Sequence, residues 1–150
     1  MELRDVLLFF HILGAAGWIG GGAFGVFVMG RFAKAGGPDK GRALEFMLEK
    51  ATPYGIVVVL LTVLGGVGLV VTQEQWGWGD TFVWFGIVAI IVEGTWESVV
   101  HRKKDEALIE AIKEDSPNRL EKLKSWYRTA WVSVAILLVA LWAMVTELDF

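Results

Sequence analysis

The chain has no cysteine, and its 150 residues include only three prolines and two histidines. The missing cysteines exclude disulfides, thiolate metal sites and cysteine nucleophiles, and they leave the redox compartment open. No glycine-rich phosphate loop follows a strand, and no nucleophile stands beside a base, so a soluble-type enzyme site has no support and an enzyme is not expected. Period-two polarity is also missing from the apolar stretches, which are about twice as long as a membrane strand needs, so a β-barrel is excluded. No cleavable leader is expected, because Glu2 and Arg4 precede the first apolar run and no small-residue cleavage site follows it.

What is abundant is apolar character. Hydrophobic residues make up 55% of the chain and mean hydropathy is +0.52, too greasy for a soluble domain of this length. Four runs, residues 6–29, 52–72, 81–100 and 126–146, are each long enough to cross ~30 Å of hydrocarbon as a helix. The expected fold is therefore all-α: a four-helix transmembrane bundle forming a single domain over residues 1–150. Eighteen glycines suit closely packed membrane helices.

Charge sets the expected orientation, since Lys and Arg collect in short cytoplasmic loops. The first connection holds Arg31, Lys34, Lys40, Arg42 and Lys50. The third holds Arg102, Lys103, Lys104, Lys113, Arg119, Lys122, Lys124 and Arg128, which leaves Arg4 alone on the opposite side with Glu2, Asp5, Glu74, Asp80, Glu147 and Asp149. Both termini are thus expected outside, in a cell's inner (cytoplasmic) membrane. The basic third connection reads as this topological charge and not as a nucleic-acid surface.

Short amphipathic helices are expected at the cytoplasmic face. One follows the Gly36-Gly37-Pro38 break and carries Leu44, Met47, Leu48 and Ala51 against the membrane surface. Another carries Leu108, Ile109 and Ile112 on one stripe, and Ser116-Pro117 reads as the N-cap and first position of the last helix. Trp76, Trp78, Trp84 and Trp142 mark an outer aromatic belt; Tyr54, Trp96, Trp126, Tyr127 and Trp131 mark an inner one. Trp18 falls in mid-span, where its indole N–H needs a partner.

Two sets of residues are candidates for chemistry. In the first span His11, Gly14, Gly21 and Gly25 share a helical face. One reading is packing glycines with a histidine bonded to a neighbouring helix; the other makes His11 an axial iron ligand, with glycines clearing space for haem b or another porphyrin. His101 is too far in depth to be the second ligand, about 20 Å at 1.5 Å per residue, whereas Met144 lies at a comparable depth to His11. In the third span Gly86, Glu93, Glu97 and His101 share a face. An acid at Glu93 costs several kcal/mol in hydrocarbon and must face the bundle interior or a water-filled cavity, which points to a proton relay, an ion site or a partner for a cation; Glu97 and His101, near the inner interface, either extend that site or are simply solvated. No Lys or Arg lies inside any span, so Glu93 is expected to be uncharged. Three same-face ligands on one helix are expected to span too far to share a metal ion, even with Glu45 or Glu49.

Three segments carry a resemblance. Phe10-His11-Ile12-Leu13-Gly14-Ala15-Ala16-Gly17-Trp18-Ile19-Gly20-Gly21, Gly66-Val67-Gly68-Leu69-Val70 and Trp76-Gly77-Trp78-Gly79-Asp80-Thr81-Phe82-Val83 together resemble the bacterial integral membrane family catalogued as domain of unknown function 2269. That resemblance implies a four-span fold and no assigned activity. More remotely, His11, Trp18 and Gly20 are similar to the first helix of copper resistance protein D and of the J-type membrane protoporphyrinogen oxidase, which implies porphyrin contact at His11 and Trp18. Glu93 stands where the oxidase pattern would have a lysine. The partners expected are the lipid bilayer and, if the glycine stripes are contact surfaces, a second copy or other membrane subunits.

Overall fold

The structure is a computed structural model that describes residues 2–146, so Glu147 and Asp149 of the acidic set lie outside the described residues. The chain forms α1 (Leu3–Ala35), α2 (Pro38–Thr72), α3 (Thr81–Trp96), a π-helical turn (Glu97–His101), α4 (Arg102–Lys113) and α5 (Arg119–Val145). There is no strand among the described residues. The π turn joins α3 to α4 without a break, so four continuous helices are long and apolar enough to cross a membrane: Leu3–Ala35, Pro38–Thr72, Thr81–Lys113 and Arg119–Val145. This is the all-α four-helix bundle the apolar runs require.

Turn chemistry explains the breaks. α1 ends at Gly36 and Gly37, whose φ angles of 68° and 96° suit glycine, and Pro38 then opens α2 with its φ already set for a helix. α5 starts two residues later than the Ser116-Pro117 pair suggests. Asn118 is its N-cap, and the Ser116 hydroxyl donates to Asn118 Oδ1 instead of capping the helix.

Residues 38–51 are not a separate surface helix. They form the first turns of α2 and run through Pro53 into the membrane span. Leu44 packs into a buried cluster with Leu108, Ile109 and Ile112 of α4, while Met47, Leu48 and Ala51 of the expected apolar face stay exposed. Gly41 allows the approach: a Cβ there would stand 2.8 Å from the Lys113 backbone nitrogen. Lys113 then forms an ion pair with Glu45 at 3.1 Å.

The best-packed core lies at the basic end. Met29 and Ala33 of α1, Leu44 of α2, the α4 stripe, and Leu123, Trp126 and Ala130 of α5 form one cluster. Trp126 is only 3% exposed, so it belongs to this core and not to the inner aromatic belt. The most extensive contacts of the long helices are α1 with α2 and α3 with α5, and α1 also meets α5. No Cα of α3 comes within 8 Å of α1 or α2, and none of α2 within 8 Å of α5, among the described residues. The two candidate sets of residues therefore belong to different pairs.

Candidate functional sites

The first-span histidine sits in the α1–α2 seam. A Cβ added at Gly14 would stand 2.5 Å from Thr62 Oγ1 and 2.6 Å from its backbone nitrogen, and one at Gly65 would stand 2.8 Å from the His11 nitrogen. The backbones touch because both positions lack a side chain. Gly17 and Gly21 face Val58 and Tyr54 in the same seam, and the Tyr54 hydroxyl donates to the Gly17 carbonyl at 2.9 Å. Gly25 has nothing within 4 Å of a built Cβ and is no part of it.

His11 Nδ1 lies 2.7 Å from the carbonyl oxygen of Thr62. A carbonyl only accepts, so Nδ1 carries the hydrogen and Nε2 keeps its lone pair, the protonation state an iron ligand requires. Space is the obstacle. The room that Gly14 and Gly21 clear is filled by α2, and the groove beside the seam, about 390 Å³, is lined by Leu7, Phe10, Val57, Leu60 and Leu64, with no polar group for a porphyrin's carboxylates. The single chain's residues do not fit a porphyrin in this seam. Met144 belongs to the other helix pair, where its methyl group packs onto Gly86 of α3. Trp18 is half-buried, and its indole N–H has no hydrogen-bond partner among the described residues.

The third-span residues form a different kind of site. Glu93 is 3% exposed, and its Oε2 has no partner at hydrogen-bond geometry; the polar group that faces the carboxyl is the buried Ser133 hydroxyl of α5. Buried polar groups are nearly always paired, so an orphan carboxylate oxygen calls for an explanation. One turn on, the helix changes pitch. The Arg102 N–H bonds to the Glu97 carbonyl, five residues back, and the Thr95 and Ser98 hydroxyls bond the Ile91 and Gly94 carbonyls four back, a pattern that loosens and bends helices.

The π turn has a geometric consequence. In an α-helix each step of four residues overshoots a full turn by about 40°, so Glu97 and Asp105 would point about 80° apart. A wider π turn holds more residues per turn and cancels much of that drift. Glu97, His101 and Asp105 consequently offer ligand atoms that all lie within 4.8 Å of one another. Glu93 is not part of this group, so the trio Glu93-Glu97-His101 is not brought together; the cluster lies one turn along, with Asp105 in place of Glu93. Glu45 and Glu49 take no part, being paired with Lys113 and Lys50.

α5 holds the cluster in place. The Thr129 hydroxyl donates to the Trp126 carbonyl at 2.8 Å, so toward His101 it can only accept, and His101 Nδ1 donates to it at 3.0 Å. The Trp126 indole N–H donates to Asp105 Oδ1. Asp105, Thr129 and Trp126 were not singled out as site residues by sequence, although Asp105 continues the four-residue spacing of Glu93, Glu97 and His101.

Compared with family models, curated proteins and solved structures, the chain matches none.

Proposed function

We propose that this membrane protein handles protons or other small cations along α3, from its basic end to Glu93 in the membrane interior. One observation carries the reading: a 3% exposed carboxylate with an unpartnered oxygen at Glu93. An intramembrane acid is costly to keep, and its usual return is a proton relay or an ion site. Glu97, His101 and Asp105 continue from it toward the basic end, with Glu97 on the outside of the helix. Steps of four residues are about 6 Å along the axis, short enough for a side chain or one water to bridge. On the positive-charge argument the basic end faces the cytoplasm of an inner membrane and both termini face outward. Membership of the domain of unknown function 2269 family, resting on the three runs quoted above, is proposed with it.

The test is proton uptake in proteoliposomes carrying an internal pH dye under an imposed potential. Glu93→Gln is expected to lower the flux to the protein-free rate while the protein still inserts. A flux unchanged in that variant, or none in the parent, overturns the reading.

A second reading, haem or another porphyrin at His11, is favoured by the free Nε2 that the Thr62 carbonyl leaves. Because the seam of one chain does not admit the ring, this reading needs a second copy or another membrane subunit to complete the pocket. An absorption spectrum of the protein purified from haem-replete cells decides it, by the presence or absence of a Soret band.

A further inference from the structure

We propose that Glu97, His101 and Asp105 form a binding site for one divalent transition-metal ion of the zinc class. The site shares residues with the cation path above but does not depend on that path conducting.

The first argument is the donor set. One imidazole and two carboxylates from a single face are ligands that zinc accepts, with a fourth position left for water. Their donor atoms lie within 4.8 Å of one another. Ligands about 2.1 Å from a tetrahedral ion are separated by about 3.4 Å, so closure requires side-chain movements of roughly an ångström. Glu97 is exposed and free to make that movement, while His101 and Asp105 are held.

The second argument is His101 itself. It is 9% exposed, and its Nδ1 hydrogen is committed to Thr129. Nε2 therefore presents a lone pair, 3.8 Å from Oδ1 of Asp105 and beyond hydrogen-bonding reach. A lone pair beside carboxylate oxygens is repelled by them unless a cation, a proton on Nε2 or a metal ion, stands between. A metal ion coordinated by Nε2 and both carboxylates removes the conflict.

Third, α5 supplies the outer partners that metal ligands ordinarily have. The Thr129 hydroxyl fixes the His101 ring and tautomer, and the Trp126 indole fixes the Asp105 carboxylate. Calcium and magnesium are disfavoured by the nitrogen ligand and by the small number of oxygens.

The experiment is calorimetric titration of zinc into the full chain in detergent after chelator treatment, with cobalt absorption as a second readout. The parent is expected to bind one equivalent, with magnesium failing to compete. Glu97→Gln, chosen because that side chain is exposed and its loss should not unfold the protein, is expected to weaken binding at least tenfold, as is His101→Gln. Thr129→Val, which removes only an outer partner, is expected to weaken it between ten- and a hundredfold. Glu93→Gln should change it by less than threefold. No stoichiometric binding in the parent overturns the proposal, as does binding that Glu97→Gln and His101→Gln leave unchanged, which would place the ion on other surface acids. Zinc binding without proton flux removes the cation path and leaves the metal site standing; flux without zinc binding does the reverse.

Discussion

The indole N–H of Trp126 donates to Oδ1 of Asp105 across the α4–α5 contact, with the two side chains 21 residues apart in sequence and both buried. The bond joins the polar line of α3 and α4 to the apolar core, since Trp126 also packs among Met29, Leu108 and Ile112. A buried hydrogen bond to a charged group contributes about 1.5–3 kcal/mol. Trp126→Phe keeps an aromatic ring but no donor, so it is expected to destabilise by about that amount plus some packing loss. Thermal unfolding in detergent should show a clear fall in Tm. In a double-mutant cycle with Asp105→Ala, which removes the acceptor, the two losses should fail to add; strict additivity would mean that the bond contributes nothing.

The α1–α2 seam makes a prediction with its own control. Gly14→Ala places a methyl group 2.5 Å from Thr62 Oγ1 and 2.7 Å from the Val58 carbonyl, contacts closer than atoms tolerate. Rigid backbone must move, at a cost of about 1–3 kcal/mol. Gly22→Ala meets nothing within 4 Å and removes a helix-interior glycine, so it should be neutral or stabilising by up to about 1 kcal/mol. Equal effects of the two substitutions in the same melting assay would refute the seam as described.

The spans were legible because about twenty apolar residues have few other uses. The seam was half legible: the stripe of Gly14 and Gly21 indicated close helix contact, but nothing in it said whether α2 or a cofactor filled the space. Two features escaped for physical reasons. Residues 38–51 read as a separate surface helix, yet α2 runs on from them through Pro53, with Leu44 packed on the apolar stripe of α4. The π turn has no residue signature; the hydroxyls of Thr95 and Ser98 support it, but such residues occur in straight helices too. Without that turn Asp105 falls off the face of Glu97, which is why the cluster emerged only from the fold.

His11→Ala removes the 2.7 Å bond to the Thr62 carbonyl and leaves a small gap against Gly65 and Gly66. If His11 only ties α1 to α2, the loss is about 1–2 kcal/mol of stability with no change in absorption. If it holds a porphyrin, any Soret band of the parent disappears while the protein still inserts. A parent chromophore retained in full by His11→Ala excludes this histidine as its ligand.

Topology has its own measurement. A reporter inserted in the short 73–80 connection is expected to signal the outer compartment, and one inserted near Asp115 the cytoplasm. The opposite pattern would overturn the assignment drawn from Arg31, Lys34, Arg102, Lys103 and their neighbours. It would also place the exposed Glu97 carboxylate on the outer side, so that cations would enter the α3 line from there.

Glu93 separates structural from functional value most sharply. Its Oε2 is buried without a partner at hydrogen-bond geometry, and the Ser133 hydroxyl of α5 is the polar group facing the carboxyl, so the pair leaves hydrogen-bonding capacity unused in an apolar setting. An unsatisfied buried polar group costs about 1–3 kcal/mol. Glu93→Met keeps much of the side-chain length and removes the carboxyl, so it is expected to raise the Tm in detergent while abolishing proton uptake in vesicles. A residue kept for structure would behave the other way, with stability falling when it is replaced. Stability that drops in Glu93→Met, with uptake unaffected, would show that the carboxyl serves the packing of α3 on α5 and that protons do not pass by it.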